Sequence, residues 1–423
     1  MGADPAVLIV GTHDTKSAEL GHLADRVREQ GGRAVSMDVG VLADGPLAAD
    51  HSRHEVAAAG GGSIEAAVAS GDENAAMQLM AAGASALVAR LHAEGRIDAV
   101  LVIGGSMGTD LALDVCAALP LGVPKLVVST IAFSPLIPPE RIAPDVQMML
   151  WAGGLYGLNP ICRSVLDRAA GAVLGAARAA RPREDRPVVG MTGLGSSVLS
   201  YCVELKPALE ARGFEVAVFH ATGMGGRAFE GLAAGGAFAC AMDFCTQELG
   251  NHVHGSRVSA GPDRLTGAGR SGVPQIVAPG CCDLVDVVGW EPLDPKWKDH
   301  EVHAHNRLLS SIVLDADERR EVARAHARQL GEATGPSAFV LPLAGVGEWD
   351  RAGGPLHRPE AHAAFCEEMR ACRPAAVELV ELDAHVNDPA FVETVLGLFD
   401  GWVRDGTVDA RRDGADDRSG RPS

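Results

Sequence analysis

The feature that most constrains this fold is an apolar run that ends in glycines and continues as a helix. Residues 99–103 are apolar, residues 104–109 have the sequence Gly-Gly-Ser-Met-Gly-Thr, and helical periodicity begins at Leu111. A buried parallel strand, a tight turn and a helix N-terminus produce this pattern. The glycines let the backbone approach a ligand closely, and the helix N-terminus favours an anion. The stretch therefore predicts an α/β domain that binds a ligand.

This alternation of strand and helix recurs in two halves. The prediction is an α/β fold with two Rossmann-like, doubly wound parallel-sheet subdomains and a ligand cleft between them. The subdomains are residues 1–180 and 188–403, the charged, proline-bounded stretch 181–187 is the linker, and residues 404–423 form a disordered tail. Within them, residues 40–72 are expected to be irregular and residues 304–312 to be helical.

Charge and composition exclude several partners. The net charge of −18 argues against nucleic acid or an anionic membrane as a partner, and an aromatic content of 4% suits base stacking poorly. Nine cysteines without a C-x-x-C pair indicate reduced thiols. Neither a signal peptide nor an apolar run of membrane-spanning length occurs in the sequence. We therefore expect a soluble cytoplasmic protein.

Four loops that follow predicted strands are suited to phosphate. They are residues 12–16, 104–109, 193–197 and 222–227, whereas a Walker-type G-x-x-x-x-G-K-[ST] motif is absent. Lys16 and Arg227 can neutralise phosphate charge. The alternative is that each loop is an ordinary strand-to-helix turn.

Ser106 has a second interpretation, because residues 104–108 also match the G-x-S-x-G nucleophile elbow. A serine nucleophile needs a histidine and an acid elsewhere in the chain. The candidates are His220, His252, His254, His305 and His385, with Asp243, Asp283 or Asp383 as the acid.

Histidines also raise the question of a metal site. His252 and His254 form one pair, and His300, His303 and His305 form a denser group. Alternate residues of a strand share a face, so such pairs can chelate zinc, although solvated histidines explain them equally well. Near the C-terminus, His385 and Asn387 follow a predicted strand, and helix capping explains neither of them.

Six segments in order resemble a known family. They are residues 10–16, 104–109, 219–227, 259–265, 305–306 and 381–389. Together they are similar to the ATP-binding domain family named for the tomato mosaic virus resistance protein. The resemblance implies ATP with magnesium in the cleft between the subdomains, and a homodimer. In the plant protein a barrel resembling phosphoenolpyruvate hydrolase follows, so a separate barrel protein of that kind is an expected partner here.

These observations lead to a set of expected site residues. The ATP ligands are expected to be Gly11, Thr12, Asp14, Thr15, Lys16, Gly104, Gly105, Ser106, Gly108, Thr109, Thr222, Gly223, Gly225, Gly226, Arg227, Asp263, Arg264 and Asn387. Asp14 and Asp243 are the expected magnesium ligands, and Lys16, Arg227 and His385 the expected catalytic residues.

The expected function is that of an ATP-dependent enzyme, by phosphoryl or adenylyl transfer, acting on a small metabolite that bears a carbonyl or carboxyl group. Two alternatives stay open. One is an ATP-binding regulatory module without turnover. The other is an ATP-independent hydrolase or lyase that uses Ser106 or a histidine-bound metal.

Overall fold

The chain forms two compact units. The computed structural model describes residues 4–180 and 186–409. Unit 1 comprises Met1–Pro182 and unit 2 comprises Arg183–Ser423. Most of the predicted linker and tail, residues 181–185 and 410–423, lies outside the described residues. Among the described residues, no helix combines the length and the apolar character needed to cross a membrane.

Unit 1 alternates strands and helices around one sheet. Its elements are β1 (Ala6–Gly11), α1 (His13–Glu29), β2 (Arg33–Asp38), α2 (Arg53–Ala59), α3 (Ile64–Ser70), α4 (Glu73–Ala93), β3 (Ala99–Gly104), α5 (Ser106–Ala117), β4 (Lys125–Ser129), β5 (Val146–Leu150) and α6 (Pro160–Ala179). The strands are parallel in the order β2-β1-β3-β4-β5. The chain therefore reverses its direction of winding between β1 and β3, which is where open α/β sheets bind ligands.

Both faces of this sheet are buried. Every residue of β1 and β3 is buried, as expected for central parallel strands covered on two sides. Leu8 and Val10 of β1 belong to the core under α4 and α5, whereas Val7 and Ile9 belong to the core under α1 and α6. The alternation of side chains along the strand thus places helices on both faces.

Unit 2 contains a second parallel sheet with helices. Its elements are β6 (Val188–Gly193), α7 (Ser200–Glu210), β7 (Glu215–His220), α8 (Met224–Ala234), β8 (Cys240–Cys245), α9 (Gln247–Val253), α10 (Gly267–Arg270), β9 (Gln275–Gly280), β10 (Leu284–Val288), β11 (Val302–Ala304), β12 (Leu309–Val313), α11 (Ala316–Leu330), β13 (Ser337–Pro342), α12 (Pro359–Cys372), β14 (Val377–Leu382) and α13 (Pro389–Arg404). The parallel order is β14-β13-β9-β8-β6-β7. The predicted fold class, two parallel sheets flanked by helices, is confirmed.

Two local predictions were wrong. The expected helix at 304–312 is replaced by an antiparallel sheet in the order β10-β12-β11, because Asn306 closes a turn by accepting the N–H groups of Leu308 and Leu309. The stretch 40–72, expected to be irregular, contains α2 and α3. Ser52 and Ser63 begin these helices by accepting backbone N–H groups three residues ahead.

Candidate ligand-binding site

Unit 1 contains a cavity of about 570 Å³ at the carboxyl ends of its strands. This volume lies in the range of small-molecule sites. Its lining consists of Gly11, Thr12, Asp14, Thr15, Lys16, Val39, Val41, Leu42, Ala67, Val68, Gly71, Asp72, Glu73, Ala76, Met77, Val102, Ile103, Gly104, Gly105, Ser106, Met107, Gly108 and Leu111. All the expected ligand residues of unit 1 except Thr109 therefore surround one cavity.

The lining has two chemical characters. The loops after β1 and β3 contribute glycines, hydroxyl groups and Lys16, whereas the segment after β2 and helices α3 and α4 contribute mainly aliphatic side chains. A mostly apolar wall with a few grouped polar atoms is typical of small-molecule sites.

Two helices at this cavity begin without a side-chain hydrogen bond from their own N-cap residue, α1 after Thr12 and α5 after Gly105. At α1, however, the backbone N–H of His13 donates to the carboxylate of Asp38 at 3.0 Å, so α5 is the one of these two helices in which no described side chain accepts a first-turn N–H group. The other α-helices of unit 1 are capped, by Ser52, Ser63, Asp72 and Asn159. Open backbone N–H groups and the helix dipole together attract anions. Helices α1 and α5 follow the two strands that flank the reversal point.

Steric contacts explain one glycine of the loop after β3. A Cβ on Gly104 would lie 2.5 Å from the Cα of Gly108, so only glycine allows the strand and the first turn of α5 to approach so closely. At Gly105 the nearest atom to such a Cβ would be 3.8 Å away. Gly104 is therefore required by the fold, whereas Gly105 is open toward neighbouring space.

Hydroxyl groups in the two loops differ in availability. Ser106 is the first residue of α5 and is exposed. Thr109, by contrast, is buried, and its Oγ1 donates to the carbonyl oxygen of Gly105 at 2.7 Å and also contacts the Oγ of Ser129. We therefore correct the expectation that Thr109 binds phosphate, because its hydroxyl group holds the loop together.

Asp14 is held at the side of the cavity that follows β2. Its Oδ2 accepts the backbone N–H of Leu42 at 3.0 Å, and its Oδ1 is buried without a described hydrogen-bond donor. Lys16 interrupts the regular geometry of α1, and its Nζ lies 3.5 Å from the Oγ1 of Thr15. Lys16 is the only lysine or arginine among the described residues that line the cavity.

In unit 2 the corresponding glycine loop is closed by the chain itself. The backbone N–H groups of Gly223 and Gly226 both donate to the carboxylate of Glu248, the second at 3.1 Å. A Cβ on Gly226 would lie 1.8 Å from that carboxylate. Glu248 therefore occupies the position where the sequence analysis expected a nucleotide phosphate to contact residues 222–227.

Arg264 is fully buried among three acids. Its guanidinium group donates to Asp243, to Glu230 at 2.8 Å and to Glu248 at 2.8 Å. Burial opposes its charge, but the three ion pairs raise the pKa of Arg264 well above its ordinary value. Burial raises the pKa of Glu230 and Glu248 in spite of Arg264. The expected role of Arg264 as an ATP ligand is corrected, because its donors are used within the fold.

The same network engages Asp243. Its Oδ1 accepts from the hydroxyl of Thr192 at 2.7 Å and from Arg264 at 2.8 Å, while its Oδ2 also accepts from Arg264. A magnesium ion would have to displace these donors, so Asp243 does not fit the expected role of a metal ligand. Asp263, also expected to bind ATP, has a side chain that is 69% exposed and pairs with Arg270 at 2.8 Å.

His385 is buried with both ring nitrogens occupied. The backbone N–H of Asn387 donates to its Nδ1 at 3.1 Å, so Nε2 carries the proton and faces the carbonyl oxygen of Gly347 at 2.9 Å and Asp350 at 3.1 Å. Neither nitrogen is free for a substrate. The expected catalytic role of His385 is therefore corrected. The side chain of Asn387, expected to bind ATP, donates instead to the carbonyl oxygen of Ser197 at 2.7 Å.

Arg227, the third expected catalytic residue, lies in α8 of unit 2. Its guanidinium group donates to the carbonyl oxygen of Ser259 at 3.3 Å. It does not line the cavity of unit 1. Arg227 thus donates to a backbone oxygen of unit 2, the unit to which it belongs.

Two buried carboxyl groups near His385 differ in their surroundings. Burial alone would raise the pKa of Asp350, but hydrogen bonds from His385 and from the amides of Val346 and Gly347 lower it. Burial, together with the neighbouring Asp350, raises the pKa of Asp283 to about 7. No described residue donates to the Oδ1 of Asp283. Of this pair, Asp283 is therefore the carboxyl group whose surroundings favour the protonated form.

Of the five histidines considered as metal ligands, only His300 belongs to a group of described residues with metal-ligand spacing. His300 lies 3.0 Å from both carboxylate oxygens of Glu318, and with Asp315 they form the one group of described residues close enough to hold an ion. However, Asp315 and Glu318 already cap α11 reciprocally. His303 instead packs against Trp349, with ring centroids 4.6 Å apart. All nine cysteines are free thiols.

The apolar half of the cavity was not predicted. Val41, Ala67 and Val68 come from the segment that was expected to be irregular, Val39 directly precedes that segment, and Met77 lies in the helix after it. One signal was available, because Ser52-Arg-His-Glu55 is an S-x-x-E capping pattern that marks a helix start.

The comparisons with known proteins cover both units. Residues 5–182 match the profile described as the N-terminal domain of uncharacterised protein family UPF0261, and residues 186–403 match its C-terminal domain. A UPF0261 protein of Brucella melitensis is 53% identical over 405 residues, which cover 96% of this chain and 97% of the relative. A UPF0261 protein of Clostridium tetani is 32% identical over 390 residues, covering 91% and 96%. ToMV resistance protein Tm-1(GCR237) of Solanum lycopersicum is 27% identical over 336 residues, covering 77% of this chain and 44% of the tomato protein.

Proposed function

This chain belongs to the uncharacterised protein family UPF0261, and from that premise we propose that it is an ATP-binding protein whose nucleotide site is the cavity of unit 1. One observation carries the proposal. The N-terminus of α5, whose first-turn N–H groups no described side chain accepts, meets a cavity of about 570 Å³ beside the reversal point of the sheet. Such a combination suits a phosphate-bearing ligand.

The polar and the aliphatic parts of the lining bind different parts of the nucleotide. The phosphates bind at the N-terminus of α5, where Ser106 donates its hydroxyl and the first-turn amides donate their N–H groups. Lys16 neutralises part of the phosphate charge from the loop after β1. The adenine ring then lies against the aliphatic side chains of Val39, Val41 and Met77.

Magnesium enters this proposal only with the nucleotide. Protein magnesium sites generally combine one or two carboxylates with phosphate oxygens and water. Asp243 is engaged by Arg264 and Thr192, and Asp14 has one oxygen fixed by Leu42 and the other buried. Asp243 is therefore not available to a magnesium ion, and Asp14 offers one oxygen that no described donor occupies.

The proposed function includes an activity. The chain is an enzyme that uses the bound ATP to transfer a phosphoryl or adenylyl group to a small metabolite with a carbonyl or carboxyl group. A second candidate is an ATP-binding module without turnover. The lining favours it in one respect, because a single cation and no histidine occur among the described residues around the cavity.

Calorimetric titration of the full chain with ATP and magnesium tests the binding. The Lys16→Ala variant is expected to bind ATP about tenfold to hundredfold more weakly, because one charge-assisted hydrogen bond to phosphate is lost. Lys206→Ala, which removes an exposed lysine of α7, is the matched control and should bind normally. If the unmodified protein does not bind ATP, the proposal is wrong.

Release of ADP or AMP in the presence of a mixture of small carboxylic and carbonyl compounds tests the activity. Stimulated release supports the enzyme. ATP binding without release in any mixture supports the module instead.

A further inference from the structure

Three side chains of unit 2 combine an imidazole with two carboxylates. His300 belongs to the segment before β11, whereas Asp315 is the N-cap residue of α11 and Glu318 lies in the first turn of that helix. One possible ligand atom from each residue lies within 4.8 Å of the other two. Imidazole nitrogen and carboxylate oxygen are ligands that zinc accepts together. Two separate parts of the chain thus supply a set of zinc-type ligands.

The ring of His300 is held with one nitrogen toward the carboxylates. Trp297 packs edge-on against this ring, with the ring centroids 5.0 Å apart and the planes at 90°. The Nδ1 of His300 is buried, whereas its Nε2 lies 3.0 Å from both carboxylate oxygens of Glu318. Two ligands of a tetrahedral zinc ion, each about 2.0–2.1 Å from the metal, are about 3.3–3.4 Å apart. His300 and Glu318 are therefore spaced nearly as zinc ligands are.

Capping of α11 does not use both oxygens of either acid. The Oδ1 of Asp315 accepts the backbone N–H groups of Asp317 and Glu318, and the Oε2 of Glu318 accepts that of Asp315. Among the described residues, the Oε1 of Glu318 has only His300 as a hydrogen-bond partner, and the Oδ2 of Asp315 has none. Each carboxylate thus keeps one oxygen that the cap does not need.

The charges of the two acids are also available to a cation. Within the described part of the chain, no lysine or arginine forms an ion pair with Asp315 or Glu318. The side chains of His300 and Glu318 are 18% and 20% exposed, and Asp315 is exposed. A divalent ion can therefore enter from solvent and neutralise both carboxylates.

We propose that His300, Asp315 and Glu318 bind one zinc ion, with water as the fourth ligand. The ion joins the segment before β11 to the N-terminus of α11, so it stabilises the folded chain. Zinc is preferred to magnesium and calcium because those ions take oxygen ligands, whereas imidazole suits zinc. The site goes beyond the proposed function and does not depend on it, because all three ligands belong to unit 2 and ATP is assigned to the cavity of unit 1.

Calorimetric titration with zinc tests the site. The full chain is freed of metal with a chelator, the chelator is removed, and zinc chloride is added. We expect one zinc ion per chain and a melting temperature that rises with the zinc concentration, because only the folded chain brings the ligands together. Magnesium and calcium should bind at least about tenfold more weakly. Absence of saturable zinc binding, or equal affinity for magnesium, would overturn the proposal.

Three variants locate the ion. His300→Ala should weaken zinc binding by more than about a hundredfold, because loss of a group that only supports a metal ligand already costs about 10- to 100-fold. Asp315→Asn and Glu318→Gln preserve the cap of α11, since asparagine caps as well as aspartate and glutamine can replace glutamate in a capping box. Without zinc, these two variants should unfold at nearly the same urea concentration as the unmodified chain. With zinc, their melting temperatures should rise much less.

His303→Ala is the matched control. His303 lies in β11, packs against Trp349 and does not belong to the group of ligands. This variant should bind zinc as tightly as the unmodified chain. If zinc binds equally to all four variants, other histidines or thiols hold it and the proposal is wrong. If Asp315→Asn and Glu318→Gln lower the stability of the chain but leave its zinc affinity unchanged, the two acids serve only as caps and the proposal is also wrong.

Discussion

The two units use similar glycine loops in opposite ways. In unit 1, no described side chain accepts the first-turn N–H groups of α5, and this helix N-terminus lines a cavity of about 570 Å³. In unit 2, the carboxylate of Glu248 accepts the N–H groups of Gly223 and Gly226, and Asp350 accepts those of Val346 and Gly347. A glycine loop after a parallel strand is therefore a candidate anion site only where the chain does not provide the anion itself.

This difference also indicates which loop can bind a ligand and which contributes to the stability of the fold. A carboxylate that accepts buried amides satisfies backbone groups that would otherwise cost free energy. In unit 2, Glu248 also pairs with Arg264, so it contributes to the core. In unit 1 the first-turn amides of α5 remain available to a ligand. Mutations in the two regions should therefore have different consequences.

The largest effect is expected from Glu248→Ala. This change leaves two buried amides without an acceptor and Arg264 with one ion pair fewer, so the free energy of unfolding should fall by about 3–5 kcal/mol. Urea denaturation measures the loss, and Glu204→Ala on the exposed surface of α7 is the control. Inorganic phosphate should stabilise the variant more than the unmodified protein, because it can replace the missing anion. A loss below about 1 kcal/mol would mean that Glu248 is not the internal anion.

The pH dependence of stability tests the second buried acid region. Asp283 has a pKa raised to about 7 in the folded chain and an ordinary pKa near 4 when unfolded. Between these values the folded state holds one proton more at Asp283, so this carboxyl group contributes a fall in stability of about 1.4 kcal/mol per pH unit as the pH rises. Burial lowers the pKa of His326 to about 4, and that histidine contributes a rise over part of the same range, so the test is the difference between variant and unmodified protein. Asp283→Asn should remove the contribution of Asp283, gaining about 3 kcal/mol on the unmodified protein between pH 5 and 7. Denaturation at a series of pH values measures it, and an unchanged slope would refute the assignment.

Part of this comparison was accessible from the sequence and part was not. The apolar runs that end in glycine predicted the parallel sheets, and the loops at 12–16 and 104–108 predicted one wall of the cavity. Glu248 follows a strand just as Asp14 does, and its amide partners lie 22 and 25 residues earlier in the chain. Nothing local distinguishes a carboxylate that fills a loop from one that faces a ligand, because that depends on tertiary packing.

The incorrect local predictions have a similar cause. Residues 304–312 have apolar side chains at spacings compatible with a helix, but pairing with β10 and β11 makes β12 a strand. His385 and Asn387 gave a polar cluster after β14, which is equally expected of a cleft and of a buried hydrogen-bond network. In both cases long-range partners decided the outcome.

A pair of glycine substitutions compares fold and site within unit 1. Gly104→Ala should lower the free energy of unfolding by about 1–3 kcal/mol, because its Cβ would meet the backbone of Gly108. Gly105→Ala, with no described atom closer than 3.8 Å to the added Cβ, is the control for folding and should leave stability nearly unchanged. Thermal and urea unfolding of both variants provides the measurement. Equal losses would show that the close approach at Gly104 is not what requires glycine.

The smallest expected effect is that of Ser106→Ala, and it decides between the two original interpretations of this loop. As a donor to phosphate, the Ser106 hydroxyl contributes one neutral hydrogen bond of about 1 kcal/mol, so the variant should bind ATP about fivefold more weakly and unfold like the unmodified chain. A nucleophilic serine would instead lose nearly all turnover, because no other group replaces it. Calorimetry with ATP and hydrolysis assays with p-nitrophenyl esters, on both proteins, distinguish the two. Ester hydrolysis that disappears with Ser106 would make unit 1 a hydrolase site rather than a phosphate site.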